Sequence, residues 1–453
     1  MPSDSPQDPK CVSALEKAAA PKFALGGWEA AVGLVERWVA RSERVDTLLE
    51  GLAAGLTGQE RARAQHLFYG VVRWSSRLEA ALAGLMMHPP RTKVRAVLLV
   101  AGFELLERPA PSLRTSGGGE VDAHVAKVIH HAVEKAKTVA SQKEAKLVNA
   151  VLRKTAARLG EKPVDVATEF AHPEWLVARW TRQFGAEITR KLLEWNQQPA
   201  PVYARWRTDA EVPEFLAPTK WPDFYEVKAG KWDEVRRLAN EGALYLQDPS
   251  TRLCIELLAP QSGEVILDAC AAPGGKSLFI ADKLKMGKVV ALDEPAAPGK
   301  SDIRLVRLKE NLARAPKGVE VGMVTADLRA AGSVYYRNLN LPESYDAVLL
   351  DAPCSNTGVM RHRIDVKWRL QDGDFTRHAE AQLELLHAAA RLVKSGGRLV
   401  YSTCSIDAVE NDGVMKAFFE SRAGGAFKLA RSVQAYPWTD GHDGAGAFLL
   451  MKQ

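Results

Sequence analysis

Residues 345–368 read YDAVLLDAPCSNTGVMRHRIDVKW, and the interpretation of the whole chain starts from this stretch. The apolar run at 347–350 predicts a strand that is buried on both faces. The strand should end at Asp351, because the tip that follows is rich in Pro, Asn and Gly. A carboxylate and the thiol of Cys354 therefore follow a central strand, where open α/β sheets bind their ligands. Taken alone, Cys354 could equally be a small packing residue.

A second stretch of the chain has the same layout. Residues 398–405, RLVYSTCS, predict a strand that ends in another thiol, Cys404. The carboxyl ends of neighbouring parallel strands meet at one edge of a sheet. The sequence therefore predicts that Cys354 and Cys404 share one crevice.

Length and composition are those of an ordinary soluble protein. The 453 residues allow two or three domains, and 46% are hydrophobic and 26% charged. No apolar run approaches about eighteen residues, so no membrane span is expected. Residues 1–23 lack the features of a secretion signal and predict a short disordered tail. Five cysteines without a CxxC pair argue against a zinc site and a disulfide framework. We expect a reduced, cytoplasmic protein without a metal.

The charge is unevenly placed along the chain. Residues 1–160 contain 23 Lys or Arg against 16 Asp or Glu, whereas the remaining residues contain 38 against 39. A basic first third favours a module that binds a polyanion, next to a neutral body. A solvated charged surface without a partner is the alternative.

Residues 24–160 predict an all-α bundle. Apolar stripes with helical spacing run through 28–39, 95–106 and 145–158. Thr57 followed by Glu60 is typical of a capping box at a helix start. The Gly-rich stretch within 108–122 predicts a flexible loop between helices.

Residues 161–245 predict a small α+β connecting domain. Residues 172–185 have the pattern of an amphipathic helix, and 201–207, PVYARWR, alternate as a strand does. Trp206 with Arg205 and Arg207 could lie against RNA, since aromatic rings stack on bases and arginines bind phosphates. Ordinary core packing of Trp206 is the alternative.

Residues 246–453 alternate between strands and helices, which predicts a doubly wound parallel sheet. Lys394-Ser-Gly-Gly is typical of a helix stop. The predicted strands are 265–268, 289–293, 320–326, 347–351, 398–402 and 446–452, and the predicted helices are 276–284, 302–313 and 375–393.

The loop after the first of these strands narrows the choice of ligand. Residues 266–277, ILDACAAPGGKS, are a strand, a tight loop and a helix start. A phosphate-binding Walker A loop needs a glycine where this chain has Cys270, and the dinucleotide fingerprint is also absent. Acidic residues end successive strands instead: Asp268, Asp293, Asp327 and Asp351. Such carboxylates suit ribose hydroxyls, an adenine amino group and a cationic ligand. S-adenosylmethionine has all three features and no phosphate.

Three ordered motifs resemble those of the RNA cytosine-5 methyltransferases. They are LDACAAPGGKS (267–277), YDAVLLDAPCSNTG (345–358) and YSTCSIDAVEND (401–412). QDPST (247–251) and DGAGAFLLMK (443–452) match the borders of that domain. The resemblance implies a Rossmann-like α/β methyltransferase domain that uses S-adenosylmethionine.

The helical part resembles the NusB-like RNA-binding domain. The stretches that carry this resemblance are RARAQHLFYGVVRW (61–74), RAVLLVAGFELL (95–106) and KLVNAVLRK (146–154). A NusB-like bundle, a connector and a methyltransferase domain in this order are similar to the bacterial RsmB/Sun family. That family methylates a cytosine of small-subunit ribosomal RNA.

The same resemblance implies roles for individual residues. Cys404 would be the nucleophile, Cys354 would assist product release, and Asp351 would hold the cytosine edge. Which cysteine attacks rests on the resemblance and not on spacing. The implied cofactor-binding residues are Cys270, Ala271, Ala272, Pro273, Gly274, Gly275, Lys276, Asp293, Asp327 and Asp351.

Other residues near these motifs are expected to have lesser roles. Cys254 and Cys270 are expected to be structural thiols, and Cys11 incidental. The basic residues after the second motif could bind the RNA backbone or form a solvated loop. These residues are Arg361, His362, Arg363 and Lys367. The link after Asp293 is longer than usual in the family, which puts neighbouring cofactor contacts in doubt.

We therefore expect a monomeric enzyme that methylates carbon 5 of a cytosine in 16S ribosomal RNA. A transfer RNA methyltransferase with the same chemistry is one alternative. A non-catalytic RNA-binding assembly factor on a former enzyme fold is another, and it would not bind S-adenosylmethionine.

Overall fold

The structure is a computed structural model that describes residues 26–41, 43–52, 55–107, 119–297, 302–339 and 341–453. The chain forms two compact units, which meet in sequence between Ala171 and His172. The predicted tail at 1–23, with Cys11, lies outside the described residues. The predicted domain boundaries near 160 and 245 stay predictions.

The first unit is all-helical, as predicted. Thr57 and Glu60 form the expected capping box at the start of the third helix. The helices are α1 (Gly27–Arg41), α2 (Val45–Glu50), α3 (Gly58–Arg73), α4 (Ser75–Leu82), α5 (Thr92–Leu106), α6 (Gly119–Val139), α7 (Gln142–Gly160) and α8 (Val166–Glu169).

The centre of this unit is α5, which is buried on nearly all sides. Its apolar residues face α1, α3, α6 and α7, so a helix without a polar face is stable there. The indole nitrogen of Trp28 donates a hydrogen bond of 2.9 Å to Glu104 of α5. The predicted loop at 108–122 is shorter than expected, because α6 already begins at Gly119; residues 108–118 lie outside the described residues.

The second unit begins with two helices and a small antiparallel sheet. The sheet has the strand order β2-β3-β1-β4. The elements are α9 (Glu174–Phe184), α10 (Ala186–Gln197), β1 (Tyr203–Trp206), β2 (Leu216–Pro218), β3 (Phe224–Val227), α11 (Trp232–Asn240) and β4 (Leu244–Leu246).

A seven-stranded mixed sheet forms the rest of this unit. Its strands are β5 (Val265–Ala269), β6 (Gly287–Asp293), β7 (Val319–Thr325), β8 (Tyr345–Asp351), β9 (Val393–Thr403), β10 (Phe427–Ala435) and β11 (Ala445–Lys452). The helices between them are α12 (Arg252–Leu258), α13 (Gly275–Leu284), α14 (Ile303–Leu312), α15 (Val334–Arg337), α16 (Val366–Arg369), α17 (Asp374–Arg391), α18 (Val414–Phe419) and α19 (Pro437–Asp440).

The order of these strands determines where a ligand can bind. It is β10-β11-β9-β8-β5-β6-β7, and the five strands from β9 to β7 are parallel. The chain passes from β5 outward to β7 and then returns to β8 on the other side of β5. The sheet therefore reverses its winding between β5 and β8, which is the switch point where such sheets bind ligands. The apolar run 347–350 of β8 is fully buried there, as predicted.

Three details of the sheet differ from the prediction. The sheet is mixed and not wholly parallel, because β11 pairs antiparallel with β9 and β10. Strand β10 was not predicted, because residues 428–432 are all exposed on an edge strand and show no apolar alternation. Lys394-Ser-Gly-Gly does not stop a helix: α17 ends at Arg391, and these residues open β9, where its register against β8 shifts. Within the described ranges, no helix is long and apolar enough to cross a bilayer.

Candidate active site

The loop between β5 and α13 forms one wall of the switch-point crevice. Gly274 has a φ of +98°, and a Cβ there would lie 2.8 Å from a methyl group of Leu308. Only glycine fits this turn, after which α13 points its free N–H groups toward the crevice. The buried carboxylate of Asp268 accepts a hydrogen bond from the Ser277 hydroxyl, and burial raises its pKa to about 7.

Asp293 ends β6 beside this loop. One carboxylate oxygen accepts a hydrogen bond of 2.8 Å from the backbone nitrogen of Ala272, and the other lies 3.8 Å from the Arg304 guanidinium. Burial raises the pKa of Asp293. Arg304 follows the long link after Asp293, of which residues 298–301 lie outside the described residues. A cation from the far end of this link thus reaches the carboxylate.

Asp327 follows β7 and is more exposed. Its carboxylate accepts a hydrogen bond of 2.9 Å from the backbone nitrogen of Arg329 and pairs with the Arg329 side chain, which lowers the pKa of Asp327. The backbone nitrogen of Ala326 donates to the carbonyl of Asp293 at 2.9 Å. The predicted cofactor-binding acids Asp293 and Asp327 therefore follow adjacent strands.

Asp351 ends β8 and forms an ion pair with Lys276, the first lysine of α13. Lys276 Nζ lies 2.5 Å from Asp351 Oδ1, and both side chains are partly exposed to the crevice. Burial is the largest single influence and lowers the pKa of Lys276, but Asp351 and the neighbouring thiols together raise it, and the net shift is upward. Lys276 is therefore a cation at neutral pH, and it holds the Asp351 carboxylate in place.

The two predicted thiols meet at this point. Cys354 Sγ and Cys404 Sγ lie 3.1 Å apart, because β8 and β9 pair in parallel with Asp351 opposite Ser402. The hydrogen bond with Cys404 and burial raise the pKa of Cys354. The surroundings thus keep Cys354 in its thiol form.

Asn356 links the two cysteines and was missed in the sequence analysis. It has a φ of +61°, and its side-chain amide donates to the Cys354 carbonyl at 2.8 Å. The Cys404 thiol donates to Asn356 Oδ1 at 3.3 Å. Asn is among the few residues that tolerate this backbone conformation, which could have marked the position.

Gly358 brings the loop after β8 into close contact with the loop after β9. Its backbone nitrogen donates to the Cys404 carbonyl at 2.9 Å, and a Cβ would lie 2.4 Å from the Gly444 carbonyl. A side chain at this position would therefore push the two thiol-bearing loops apart.

A cavity of about 90 Å³ adjoins Cys404. Cys404 and Lys276 line part of its wall, and Asp248 and Asp443 line another part. Its apolar lining comes from Leu253, Val359, Ala445 and Ala447. A flat ring could thus meet the nucleophile candidate within an apolar surround that contains a few polar groups.

Asp248 and Asp443 form a cluster with His362 that was also missed, although both acids lie in the border motifs. The three side chains offer ligand atoms within 4.8 Å of one another, a spacing that could hold a metal ion. His362 Nδ1 lies 3.0 Å from Asp443. Burial raises the pKa of Asp248 to about 6, and Asp443 adds to the shift. Although burial opposes the shift, Asp443 raises the pKa of His362, so His362 can itself be the cation that balances the two carboxylates.

Several basic residues that were predicted to bind RNA are engaged within the protein. Arg205 and Arg207 are buried and form ion pairs with Asp282 of α13, at 2.7 and 2.8 Å. That prediction is wrong for both arginines. Trp206 packs on the core of the small sheet and donates to the Ala210 carbonyl, as in the alternative interpretation.

The basic residues of the loop after Gly358 also make contacts within the protein. Lys367 is only 2% exposed, so the prediction that it binds the RNA backbone is wrong. Arg361 donates to the Pro199 carbonyl and lies over the ring of Trp195 at 4.2 Å. His362 is held by Asp443, as described above.

The two remaining described cysteines differ in their surroundings. Cys254 lies in α12 and is 2% exposed, and burial raises its pKa to about 11. The pKa of Cys270 is raised by burial first and by Asp293 next. Neither thiol is activated as a nucleophile, in keeping with the structural role expected for both.

Two family models match this chain. One, described as "16S rRNA methyltransferase RsmB/F", matches residues 255–436, and the other, described as "NusB family", matches residues 29–157. Ribosomal RNA small subunit methyltransferase B of Citrobacter koseri is 32% identical over 405 residues, which are 85% of this chain and 88% of the relative. The Erwinia tasmaniensis protein of the same name is 30% identical and covers 92% of this chain and 97% of the relative.

The chain belongs to the RsmB/F family of 16S rRNA methyltransferases. The resemblance stated from the motifs is confirmed, as is the combination of a NusB helical domain with a Rossmann-like methyltransferase domain.

Solved structures share the fold of this RsmB/F family member. The protein PH0851 superimposes with a TM-score of 0.73 at 22% identity, over 95% of this chain and all of that chain. NSun6 from Pyrococcus horikoshii, solved with SFG, has a TM-score of 0.51 at 21% identity and covers 62% of this chain and 98% of that chain.

The methyl donor of this RsmB/F family member is S-adenosylmethionine. The residues at the switch point fit that molecule, because a glycine turn without phosphate-binding features adjoins the carboxylates of Asp293, Asp327 and Asp351; the fourth, Asp268, is fully buried against Ser277. These carboxylates can accept hydrogen bonds from hydroxyl and amino groups and can attract a sulfonium charge. The residues that would hold it are the loop at 270–276 with Asp293 and Asp327.

Proposed function

We propose that this RsmB/F family member methylates carbon 5 of a cytosine in 16S ribosomal RNA through a covalent bond between Cys404 and the base. The observation that carries the proposal is the pair of thiols 3.1 Å apart, beside the Lys276–Asp351 ion pair at the switch point. The ribosomal substrate is supported by the family and by the NusB domain.

Carbon 5 of cytosine is too weak a nucleophile to take a methyl group by itself. A thiolate that adds to carbon 6 activates it. The Cys404 thiolate forms a bond to carbon 6, and the electron pair of the 5,6 double bond moves into the ring, toward carbon 5 and N3. S-adenosylmethionine, when bound, supplies the methyl group to carbon 5. A base then removes the carbon-5 proton, the double bond re-forms, and the thiolate leaves.

Asp351 and Lys276 are the residues that we expect to stabilise the charge that develops in the cytosine ring. We assign the cytosine edge to Asp351, whose carboxylate can accept a hydrogen bond from the amino group of the base or from a protonated N3 while Lys276 fixes its orientation. The cavity beside Cys404 supports this assignment, since Lys276 also lines it. Desolvation there would strengthen each of these contacts.

Cys354 is assigned to the release step. It lies against Cys404, and its raised pKa keeps it protonated while Cys404 attacks. The hydrogen bond with Cys404 is the first cause of that shift and is lost once the Cys404 sulfur is bonded to carbon 6, which makes Cys354 easier to deprotonate for the release step. The target base must leave its stack to reach both sulfurs.

The experiment that tests this function uses the full chain with tritiated S-adenosylmethionine and unmodified 16S rRNA. Label should appear in 5-methylcytidine after digestion of the rRNA to nucleosides. Transfer RNA serves as the matched substrate control and should stay unlabelled. Label in transfer RNA would favour the alternative substrate, and cofactor binding without any RNA label would contradict the proposal.

A further inference from the structure

Glu410 is fully buried and lies between the two loops that carry the thiols. Its Oε1 accepts hydrogen bonds from the backbone nitrogen of Ser355 at 2.8 Å and from Gln382 Nε2 at 3.0 Å. Its Oε2 accepts from the Ser405 hydroxyl at 2.6 Å and from the Ser355 hydroxyl. Ser355 directly follows Cys354, and Ser405 directly follows Cys404. One carboxylate therefore binds the residue after each thiol.

The network around Glu410 extends to rigid elements. The Tyr401 hydroxyl of β9 donates to the Glu410 carbonyl at 2.7 Å, and Gln382 of α17 also donates to the Pro353 carbonyl at 2.9 Å. A buried carboxylate is stable only when its oxygens are satisfied, and here four donors satisfy them. This arrangement exists only when both loops have their observed positions.

We propose that Glu410 is a positioning residue of the methyl transfer. It locks the loop 353–358 to the loop 403–407 and so fixes the two sulfurs at one point in the crevice. It makes no hydrogen bond to either thiol and positions them through the serines beside them, and its charge also contributes to the raised pKa of Cys354. The kinetic part of this inference rests on the proposed function, whereas the structural part does not.

The chemistry of the four donors distinguishes two substitutions. Both donors at Oε1 are N–H groups, which can only donate a hydrogen bond. Both donors at Oε2 are hydroxyls, which can also accept one. Glu410→Gln can therefore place its carbonyl at the first position and its amide at the second. Glu410→Ala leaves the Ser355 N–H and the Gln382 amide without an acceptor.

The first test measures thiol labelling and does not depend on activity. The full chain is treated with iodoacetamide, and the labelling rate of each cysteine is followed by mass spectrometry. In Glu410→Ala the rate at Cys354 should rise about 10-fold, because the loop opens locally. Cys254 lines the same cavity as Cys404 and cannot serve as a reference, so circular dichroism and urea unfolding establish that the variant stays folded under the labelling conditions. Glu410→Gln and the exposed control Glu420→Ala should behave like the wild type.

The second test measures turnover on 16S rRNA. Misplacing reacting groups by about 1 Å can cost about 100-fold, so kcat of Glu410→Ala should fall to that extent. KM for S-adenosylmethionine should change less than about twofold, because its binding loop is separate. Glu410→Gln should retain kcat within about threefold.

The outcomes separate the two proposals. If the wild type does not methylate rRNA, the proposed function fails, while the labelling rates still decide the role of Glu410. An unchanged rate at Cys354 in Glu410→Ala would overturn that role. So would loss of the folded state under the labelling conditions, since the faster labelling would then reflect general unfolding. A Gln variant as inactive as the Ala variant would show that the carboxylate is needed for its charge.

Discussion

Cys354 and Cys404 are the same side chain in different surroundings. Cys354 is buried, and its backbone carbonyl and sulfur both have partners. Cys404 is more exposed, lines the cavity and donates to Asn356. The nucleophile must be the first sulfur to meet the base, and Cys404 is the one that opens onto the cavity. These surroundings favour Cys404 for attack.

The two thiols should respond differently to substitution. Cys404→Ala removes the atom that bonds to carbon 6, so methyl transfer should fall on the order of 10³-fold or more, about 4 kcal/mol. Cys354→Ala should form the bond but release it slowly, so that a protein–RNA adduct accumulates. Turnover with tritiated S-adenosylmethionine and denaturing gel electrophoresis measure the two effects.

Cys11→Ala is the control for these variants and should have wild-type turnover without an adduct. The opposite pattern, with an adduct in Cys404→Ala and none in Cys354→Ala, would exchange the assigned roles.

Single residues near the thiols could be predicted only in part. Asp351, Cys354 and Cys404 follow apolar runs that predict strands, and strand ends are where ligands bind. Asn356 and Glu410 lie inside the same motifs but were not identified. Their roles depend on hydrogen bonds between loops that are 50 residues apart, which no local pattern encodes.

At the scale of elements, the parallel pairing of β8 and β9 brings the thiols together. The apolar run of β8 predicts a central strand, and the sequence of β9 predicts a strand that ends in a thiol. Strand β10 could not be predicted in this way, because only its two ends, Phe427 and Ala435, are buried and the residues between them pair with β11 mainly through the backbone. Its exposed face carries no periodic apolar signal.

Arg205 in β1 and Arg207 just after it likewise could not be interpreted from the local sequence. Alternation predicts the strand, but the ion pairs of Arg205 and Arg207 depend on Asp282 from α13, which is far away in sequence. Arg205 is only 2% exposed, so the loss of its partner carboxylate would leave a buried charge uncompensated.

Removing the Asp282 carboxylate should therefore destabilise the second unit. We expect Asp282→Asn to lower the free energy of unfolding by about 3 kcal/mol, as measured by urea denaturation. Asp233→Asn breaks an exposed ion pair with Arg236 and should cost less than about 1 kcal/mol. Equal effects of the two substitutions would contradict a structural role for the buried pair.

At the scale of the whole molecule, the excess of Lys and Arg over Asp and Glu lies in the first 160 residues. Helix α7 contributes several exposed cations to it, among them Lys146, Arg153 and Lys154. Cations on one helix face bind a phosphate backbone by releasing counterions, so affinity falls with salt. The domain types could be predicted from the order of the motifs, because each motif is a continuous stretch of sequence that can be identified without the structure.

Reversing these charges should weaken RNA binding without changing the chemistry. The triple variant Lys146→Glu, Arg153→Glu and Lys154→Glu should reduce the slope of log K against log salt by about 2 to 3. Binding of 16S rRNA at several salt concentrations measures this slope, and kcat at saturating RNA should stay within about twofold. An unchanged slope would assign the RNA-binding charge to other residues.

Strand β11 is the last of the seven strands along the chain, yet it lies between β9 and β10. During synthesis, β9 and its thiol therefore leave the ribosome with one edge unpaired, and β10 has no neighbour in the sheet until residues 445–452 follow. Domains fold as units while they are being made. The order of the strands thus delays completion of the crevice until translation of this domain has finished, although all three motifs have been made earlier.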